Sequence, residues 1–453
     1  MKLLRFTVKN HRSIRDEQTL DFAPKLGGIN RPRSGSWDDV IDNTAVIFGP
    51  NAAGKTNFID AISFAMQAIF FSGTRWQEKK YIPHFPSIFN EEKNSSSLYE
   101  FDFVASNKNR YLYGFEITKN GVQKEWLSFV KNSPRSRWID IFEREEKGDD
   151  IRNVVWNDRH VSPKSQREIE IVGKNELFLS STMRLPKNDL RFIFEEISQG
   201  INILPLGDNY TKRRIDSIIK SILRGQFDLE ELSSLMKIAD TGIVSVEIDE
   251  RKVPEELLKI IKDIKKISSS KKRKDQKNDI QATDDEIQEV AYSLLFSHAN
   301  SKGEIKKLKI ADESSGTLAW LSIAPIILES LKEGSIVIAD ELDTSLHQTL
   351  IESIIQLYTN PSINQNGAQL IFTSHNTNYL EHIREIGIST NQIWFVEKNK
   401  EGSSEIYSLG DFKTPDKANF ERRYLSGRYG AIPRVSDGLF ASMITNEDYS
   451  YGN

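Results

Sequence analysis

Residues 48–57, FGPNAAGKTN, constrain what this chain can fold into more than any other stretch. They follow the short apolar run Ala45–Ile47 and precede NFIDAISFAMQAIFF. Apolar residues recur there at helical spacing, so the loop joins a strand to a helix N-terminus. Gly49-Pro50-Asn51-Ala52-Ala53-Gly54-Lys55-Thr56 satisfies the pattern G-x-x-x-x-G-K-[ST]. Two glycines let such a backbone curl until its N–H groups face a triphosphate at the start of the helix. Lys55 would reach the β- and γ-phosphates, and the Thr56 hydroxyl would ligate Mg²⁺. The candidate ATP-binding loop is therefore Gly49 to Thr56, with Asn57 in the first helical turn. An ordinary glycine turn would need neither the strand before it nor the helix after it.

Three later stretches add chemistry. SIVIADELD, Ser335–Asp343, is a buried-strand run that delivers Asp340 and Glu341 at its end. Nucleotides bind at the carboxyl ends of parallel strands. Asp340 would belong to the Mg²⁺ shell, and Glu341 would polarise the attacking water. An Asp-Glu pair ending a strand is common by chance and gains its weight from the loop. DESSGTLAW, Asp312–Trp320, opens a helix, and as a lone string it is a plain N-cap. In QLIFTSHN, His375 follows another buried strand, where a lone histidine is ordinarily structural.

Taken in order and spacing, these pieces resemble ABC-type ATPases. The resemblance makes Ser314, Ser315 and Gly316 a signature motif that grips the γ-phosphate held by another subunit. It makes His375 the switch histidine. LRFTVKNHRSI resembles the N-terminal strand of RecF- and SMC-like ATPases and brings Arg12 toward the nucleotide. With DELDTSLH and YLSGRYGAIP, the chain is similar to the OLD/RecF-like ATPases of prokaryotic anti-phage defence. The resemblance is to stand-alone AAA-family ATPases of the RloA and AbiL type, related to the ATPase subunits of PARIS and Septu.

The resemblance implies Glu341, His375 and Lys55 as the catalytic group of an ATPase working at a head-to-tail interface of a homodimer or higher oligomer. It implies a sensor or scaffold role with a separately encoded effector, a Toprim- or RloB-like nuclease, and DNA or a phage protein as trigger. The alternative is a RecF-like DNA-repair ATPase that binds DNA. Two departures stand out: His347 replaces the D-loop aspartate, and a Q-loop has only LFLSST, Leu177–Thr182, as candidate.

Composition narrows the rest. Lys+Arg of 61 against Asp+Glu of 65 gives a net charge of −4, so nucleic acid would need a local patch. The absence of cysteine removes disulfides, thiolate zinc sites and cysteine nucleophiles, and fits a cytoplasmic protein. MKLLRFTVKNHRSIRDE has no signal-peptide h-region. LAWLSIAPIIL, Leu318–Leu328, falls short of the roughly 20 residues that span a bilayer, so no membrane partner is expected.

The expected fold is α/β, an ABC-type P-loop ATPase head with an antiparallel β meander and a helical insertion. Residues 98–143 alternate with period two and supply the meander. The expected divisions are 1–183, the loop and meander; 184–283, a mainly helical insertion; and 284–453, with signature, Asp340, Glu341 and His375. The lysine-rich run Lys265–Asp279 reads as a solvated loop rather than a nucleic-acid site. Too little chain follows His375 for a Toprim domain, so the effector is expected elsewhere.

Overall fold

Five short apolar strands lie parallel at the centre of the larger of two units. In the computed structural model the described residues are 1–90, 95–147, 151–185, 189–205, 207–239, 242–252, 290–300, 302–344, 346–415 and 418–432. The sheet runs Ser404–Ser408, Ile393–Lys398, Thr44–Phe48, Gln369–Thr373, Ile336–Ala339, Ile201–Leu204, with only the first strand antiparallel to its neighbour. TAVIF, IVIA and QLIFT are buried at every position, the continuous apolar run of strands covered on both faces. In register, Ile338 lies opposite Ile371, and Ile371 opposite Ala45. The ends of three strands therefore line up: the loop at Gly49, the carboxylates at Asp340 and Glu341, and the segment at His375.

A second, antiparallel sheet has seven strands in the order Gln18–Asp21, Lys2–Lys9, Ser97–Val104, Arg110–Thr118, Gly121–Val130, Ile139–Lys147, Ile151–Trp156. This is the expected meander, extended by the N-terminal strand on one side and Ile151–Trp156 on the other. Helix Lys55–Arg75 buries Phe58, Ile62, Ala65 and Ile69 in a single core with Phe6, Phe101 and Phe115 of this sheet and Ala45, Ile338 and Ile371 of the parallel one. The glycine-rich loop thus leads into a helix held between two layers. No helix among the described residues is long and apolar enough to cross a membrane.

The chain divides differently from the expected 1–183, 184–283 and 284–453. One unit is Met1–Leu206 with Ile327–Asn453, and the other is Gly207–Ile326. The segment after 184 stays with the first unit because helix Arg191–Gly200 runs into Ile201–Leu204, which pairs parallel with Ile336–Ala339. Among its described residues the second unit carries strands as well as helices. After helices Asp208–Leu223 and Leu229–Ile238 comes a three-stranded antiparallel sheet, Ile243–Lys252, Val290–Ala299 and Ile305–Lys309. IVSVEIDERK alternates as strands do, and Gly242, at φ +71°, turns the chain into it. The Lys265–Asp279 run lies outside the described residues.

Inside the meander sits a charged network. The Glu125 carboxylate is fully buried and accepts from Phe178 N at 2.7 Å, Leu179 N at 3.1 Å and the Tyr113 hydroxyl at 3.0 Å. Fully buried Arg144 lies 3.6 Å from it and donates to the Glu176 carbonyl at 2.7 Å. Burial raises the Glu125 carboxyl above the usual range, opposed by Arg144 and the two backbone donors. LFLSST, the Q-loop candidate, is thus a short buried helix held at its start by Glu125. Substituting Glu125→Ala removes the acceptor of Phe178 N, Leu179 N and the Tyr113 hydroxyl and leaves Arg144 with Glu146 as its remaining carboxylate partner, which should cost about 3–5 kcal/mol. Urea unfolding of the variant measures this, and a loss below about 1 kcal/mol would refute the network's role.

Candidate functional site

Gly49 leaves strand Thr44–Phe48 with its Cα so close to the neighbouring strand that an added Cβ would lie 2.3 Å from the Val396 carbonyl oxygen. Ala52 (φ +63°) and Gly54 (φ +112°) then reverse the chain in left-handed conformations, glycine's natural region. At Gly54 a Cβ would meet the Ser404 hydroxyl at 2.3 Å and the Ser13 hydroxyl at 2.7 Å. Those two serines brace the loop from outside. Ser404 donates to the Ala53 carbonyl at 2.5 Å and is bonded hydroxyl to hydroxyl with Ser13 at 2.7 Å, and Asn57 donates to Ser13 at 2.6 Å. Helix Lys55–Arg75 then starts with no side-chain cap. Its first N–H groups keep their affinity for an anion.

Lys55 is buried and folds back, donating to Gly49 O at 2.7 Å and Pro50 O at 3.3 Å. Burial pulls its ammonium below the ordinary value, and the carboxylates of Glu341, Asp340 and Asp343 pull it back up. A charged group satisfied by loop carbonyls alone can exchange them for phosphate oxygens at small cost. This folded-back lysine and the uncapped helix start fit a triphosphate. The hard oxygen donors proposed for the metal, the Thr56 hydroxyl and the Asp340 carboxylate, are of the type Mg²⁺ prefers.

A cleft of about 800 Å³ opens over the loop, lined by Pro50, Asn51, Ala52, Gly54, Lys55, Thr56, Asn57, Glu341 and His375. Residues more than 280 positions apart thus share one wall. Gly49 and Ala53 shape the loop from behind instead of lining the cleft. Glu341 has φ +53°, a conformation that costs a non-glycine residue about 1–3 kcal/mol and clusters at functional sites. Its Oε1 lies 3.2 Å from His375 Nε2, and both side chains are half exposed. Asp340 accepts from the Thr373 hydroxyl at 2.6 Å, and the Thr373 hydroxyl oxygen in turn accepts from Glu341 N at 2.7 Å.

Arg12 is not among the lining residues. Its Nε is bonded to Asp60 Oδ2, and its guanidinium lies 4.9 Å over the Phe85 ring. Ser314, Ser315 and Gly316 belong to the other unit, Gly207–Ile326. There Ser314 accepts from Thr317 N at 3.1 Å as the cap of helix Ser315–Glu333, and it is exposed together with Ser315. His347 caps helix Gln348–Thr359 by accepting from Thr349 N at 3.3 Å. The YLSGRYGAIP tail packs Tyr424 and Tyr429 against Phe395, at 5.1 and 5.9 Å between ring centroids, and covers that face of the sheet.

Sequence reasoning missed Thr373, Asp343, Ser13 and Ser404. Thr373 and Asp343 had a signal, since each is a polar residue at a buried strand's end within an already suspected motif. Ser13 and Ser404 had none; only folding brings them to the loop.

Residues 45–381 match the family model described as "AAA domain, putative AbiEii toxin, Type IV TA system", well over half of the chain. No curated protein matches the sequence. Solved structures similar to the chain include an SMC head bound to the C-winged helix domain of ScpA, at 14% identity and TM-score 0.43, covering 90% of this chain and 97% of that one. The SMC head domain from Thermotoga maritima matches at 15% identity and TM-score 0.39, covering 90% and 99%. The recombination mediator protein RecF with ATP, of the RecFOR pathway, matches at 14% and TM-score 0.30, covering 82% and 92%.

Gly54→Ala, which leaves Lys55 and Thr56 untouched, should push the loop off Ser404 and Ser13. Titration with a fluorescent ATP analogue should show at least about a tenfold loss of affinity, the equivalent of 1.4 kcal/mol. Affinity within twofold of wild type would show that the close packing around Gly54 is not needed for binding.

Proposed function

The chain belongs to this AAA-domain family, and from that premise we propose that it binds and hydrolyses ATP at the cleft over Lys55. The observation that carries the reading is that Lys55, Thr56, Glu341 and His375 line one cleft although they come from distant parts of the chain. On binding, Lys55 gives up the Gly49 and Pro50 carbonyls for the β- and γ-phosphates. The first N–H groups of its helix take phosphate oxygens. Thr56, in the cleft wall, and Asp340, at the strand end behind it, would hold Mg²⁺, which when bound would offset the negative charge of the phosphates. Glu341 orients a water for in-line attack and accepts its proton, and His375, beside it, hydrogen-bonds to the phosphoryl oxygens.

Ser314, Ser315 and Gly316 complete the site from a second copy, head to tail. Their exposure at an uncrowded helix start supports this, since backbone N–H groups and a hydroxyl there suit a γ-phosphate. The family's description as part of a toxin–antitoxin system, together with the motif resemblance to defence ATPases, supports a role in anti-phage defence. In that role the chain is sensor and scaffold, and a separately encoded nuclease is the effector. The tail that packs on Phe395 and the unit Gly207–Ile326 offer surfaces for it.

Glu341→Gln should bind ATP with near wild-type affinity while turnover falls about 10²- to 10⁴-fold. Light scattering should find it dimeric with ATP, and adding Gly316→Asp should return it to monomer. Turnover equal to wild type would remove Glu341 from the reaction. A second outcome separates sensor from toxin: incubated alone with Mg²⁺ or Mn²⁺, the purified chain should leave DNA and RNA uncut. Cleavage that survives Lys55→Ala would show that the chain carries its own effector.

A further inference from the structure

Two short segments meet behind the Glu341–His375 pair, and each holds the other by a side chain. From the strand Gln369–Thr373, Thr373 reaches across to Asp340 and to the backbone N–H of Glu341, at 2.6 and 2.7 Å. The return bond comes from Asp343, in the turn Leu342–Thr344 that directly follows Glu341. One oxygen of its carboxylate, Oδ2, accepts from the Ser374 hydroxyl at 2.8 Å, from His375 N at 3.0 Å and from Asn376 N at 3.0 Å. Three donors from three consecutive residues thus converge on a single charged oxygen. Its other oxygen, Oδ1, is buried and accepts no hydrogen bond from the described residues.

We infer that Asp343 is the positioning residue for His375, fixing the histidine through its backbone so that the imidazole meets Glu341 and the cleft. This rests on the ATPase reading above for its catalytic consequence, though not for its geometry. Hydrogen bonds to an ionised acceptor are about twice as strong as neutral ones, so the 374–376 segment is held more firmly than a loop of its length otherwise would be. The backbone of Ser374 adds one further tie, donating to Ile47 O at 3.0 Å on the strand that leads into the phosphate loop. Gln348 fixes the following residues by accepting from the Asn376 and Asn378 side-chain amides at 3.2 and 3.0 Å. His375 has no other polar tie than its backbone bond to Asp343 and its ring contact with Glu341 among the bonds of the described residues. Release of Asp343 therefore frees the histidine while leaving Lys55, Thr56 and the loop in place.

Two substitutions separate positioning from mere structural support. Asp343→Ala removes the acceptor. Asp343→Asn keeps a carbonyl oxygen where Oδ2 stands and puts its amide where Oδ1 accepts nothing, so most of the geometry survives. Hydrogen exchange read by mass spectrometry on the full-length protein should show faster exchange in peptides covering 374–376 for Asp343→Ala, with peptides covering 49–57 unchanged. ATP affinity should stay within about threefold of wild type in both variants, while turnover falls about 10- to 100-fold in Asp343→Ala and recovers to within about fivefold of wild type in Asp343→Asn. Unchanged exchange at 374–376 would overturn the inference. So would an ATP affinity that falls as far as turnover, or an asparagine variant no better than alanine. If the wild-type protein hydrolyses no ATP, the proposed function fails, and the exchange measurement alone decides whether Asp343 holds the histidine segment.

Discussion

Everything at the cleft depends on the parallel pairing of Thr44–Phe48 with Gln369–Thr373, and of the latter with Ile336–Ala339. Leu370 lies opposite Thr44 and Val337 opposite Leu370, so three strands begun at very different points of the sequence end at one level. Parallel neighbours require long crossovers, and the ordering cost of those connections is recovered by burying all three strands on both faces. A slip of one residue would reverse every side chain and move Glu341 and His375 away from the loop. The chemistry at the strand ends depends on that register.

Rigidity behind the loop comes from the second layer. Helix Lys55–Arg75 cannot shift without disturbing the core it shares with the meander. Its far end is also pinned, because Ser180 accepts from Gly73 N at 2.8 Å and Ser72 accepts from Leu177 N at 3.1 Å. The segment making those contacts is the one Glu125 holds by its N–H groups. A buried carboxylate in the meander thus helps fix the helix on which Lys55 and Thr56 stand. Buried ionic groups are weak contributors to stability and act more persuasively as devices for a unique arrangement, which is the use the positions of Glu125 and Arg144 suit.

Part of the backbone strain among the described residues falls at the cleft. Left-handed φ values at Ala52 and Glu341 fall on residues that line the cleft. Such conformations persist only where surrounding contacts over-determine them. At Glu341 those contacts are the Thr373 bond to its N–H and the two bonds that Thr344 donates to its carbonyl, at 2.9 Å from the hydroxyl and 3.1 Å from the backbone. Arg12 at φ +50° is held in the same manner by its backbone bond to Phe85 O at 2.8 Å and its ion pair with Asp60. Arg12 is thereby tied to Asp60, on the helix that follows the loop.

The phosphate loop, its flanking strand and helix, the meander and the carboxylates after IVIA were legible because each is written locally. A glycine pattern, a period of two or a period of 3.6 acts over a few residues, and the backbone obeys it wherever the segment lies. The strand Ile243–Lys252 was equally local and was still misread, since helical neighbours on one side drew the whole stretch into one class. Unit boundaries at 207 and 326, the tie of Arg12 to Asp60, the serines under Gly54 and the grip of Asp343 on His375 were decided by tertiary structure alone. They depend on which strand ends meet, and that follows from pairing between segments hundreds of residues apart. Sequence determined that a glycine-rich loop joins a strand to a helix here. Folding decided what stands opposite it.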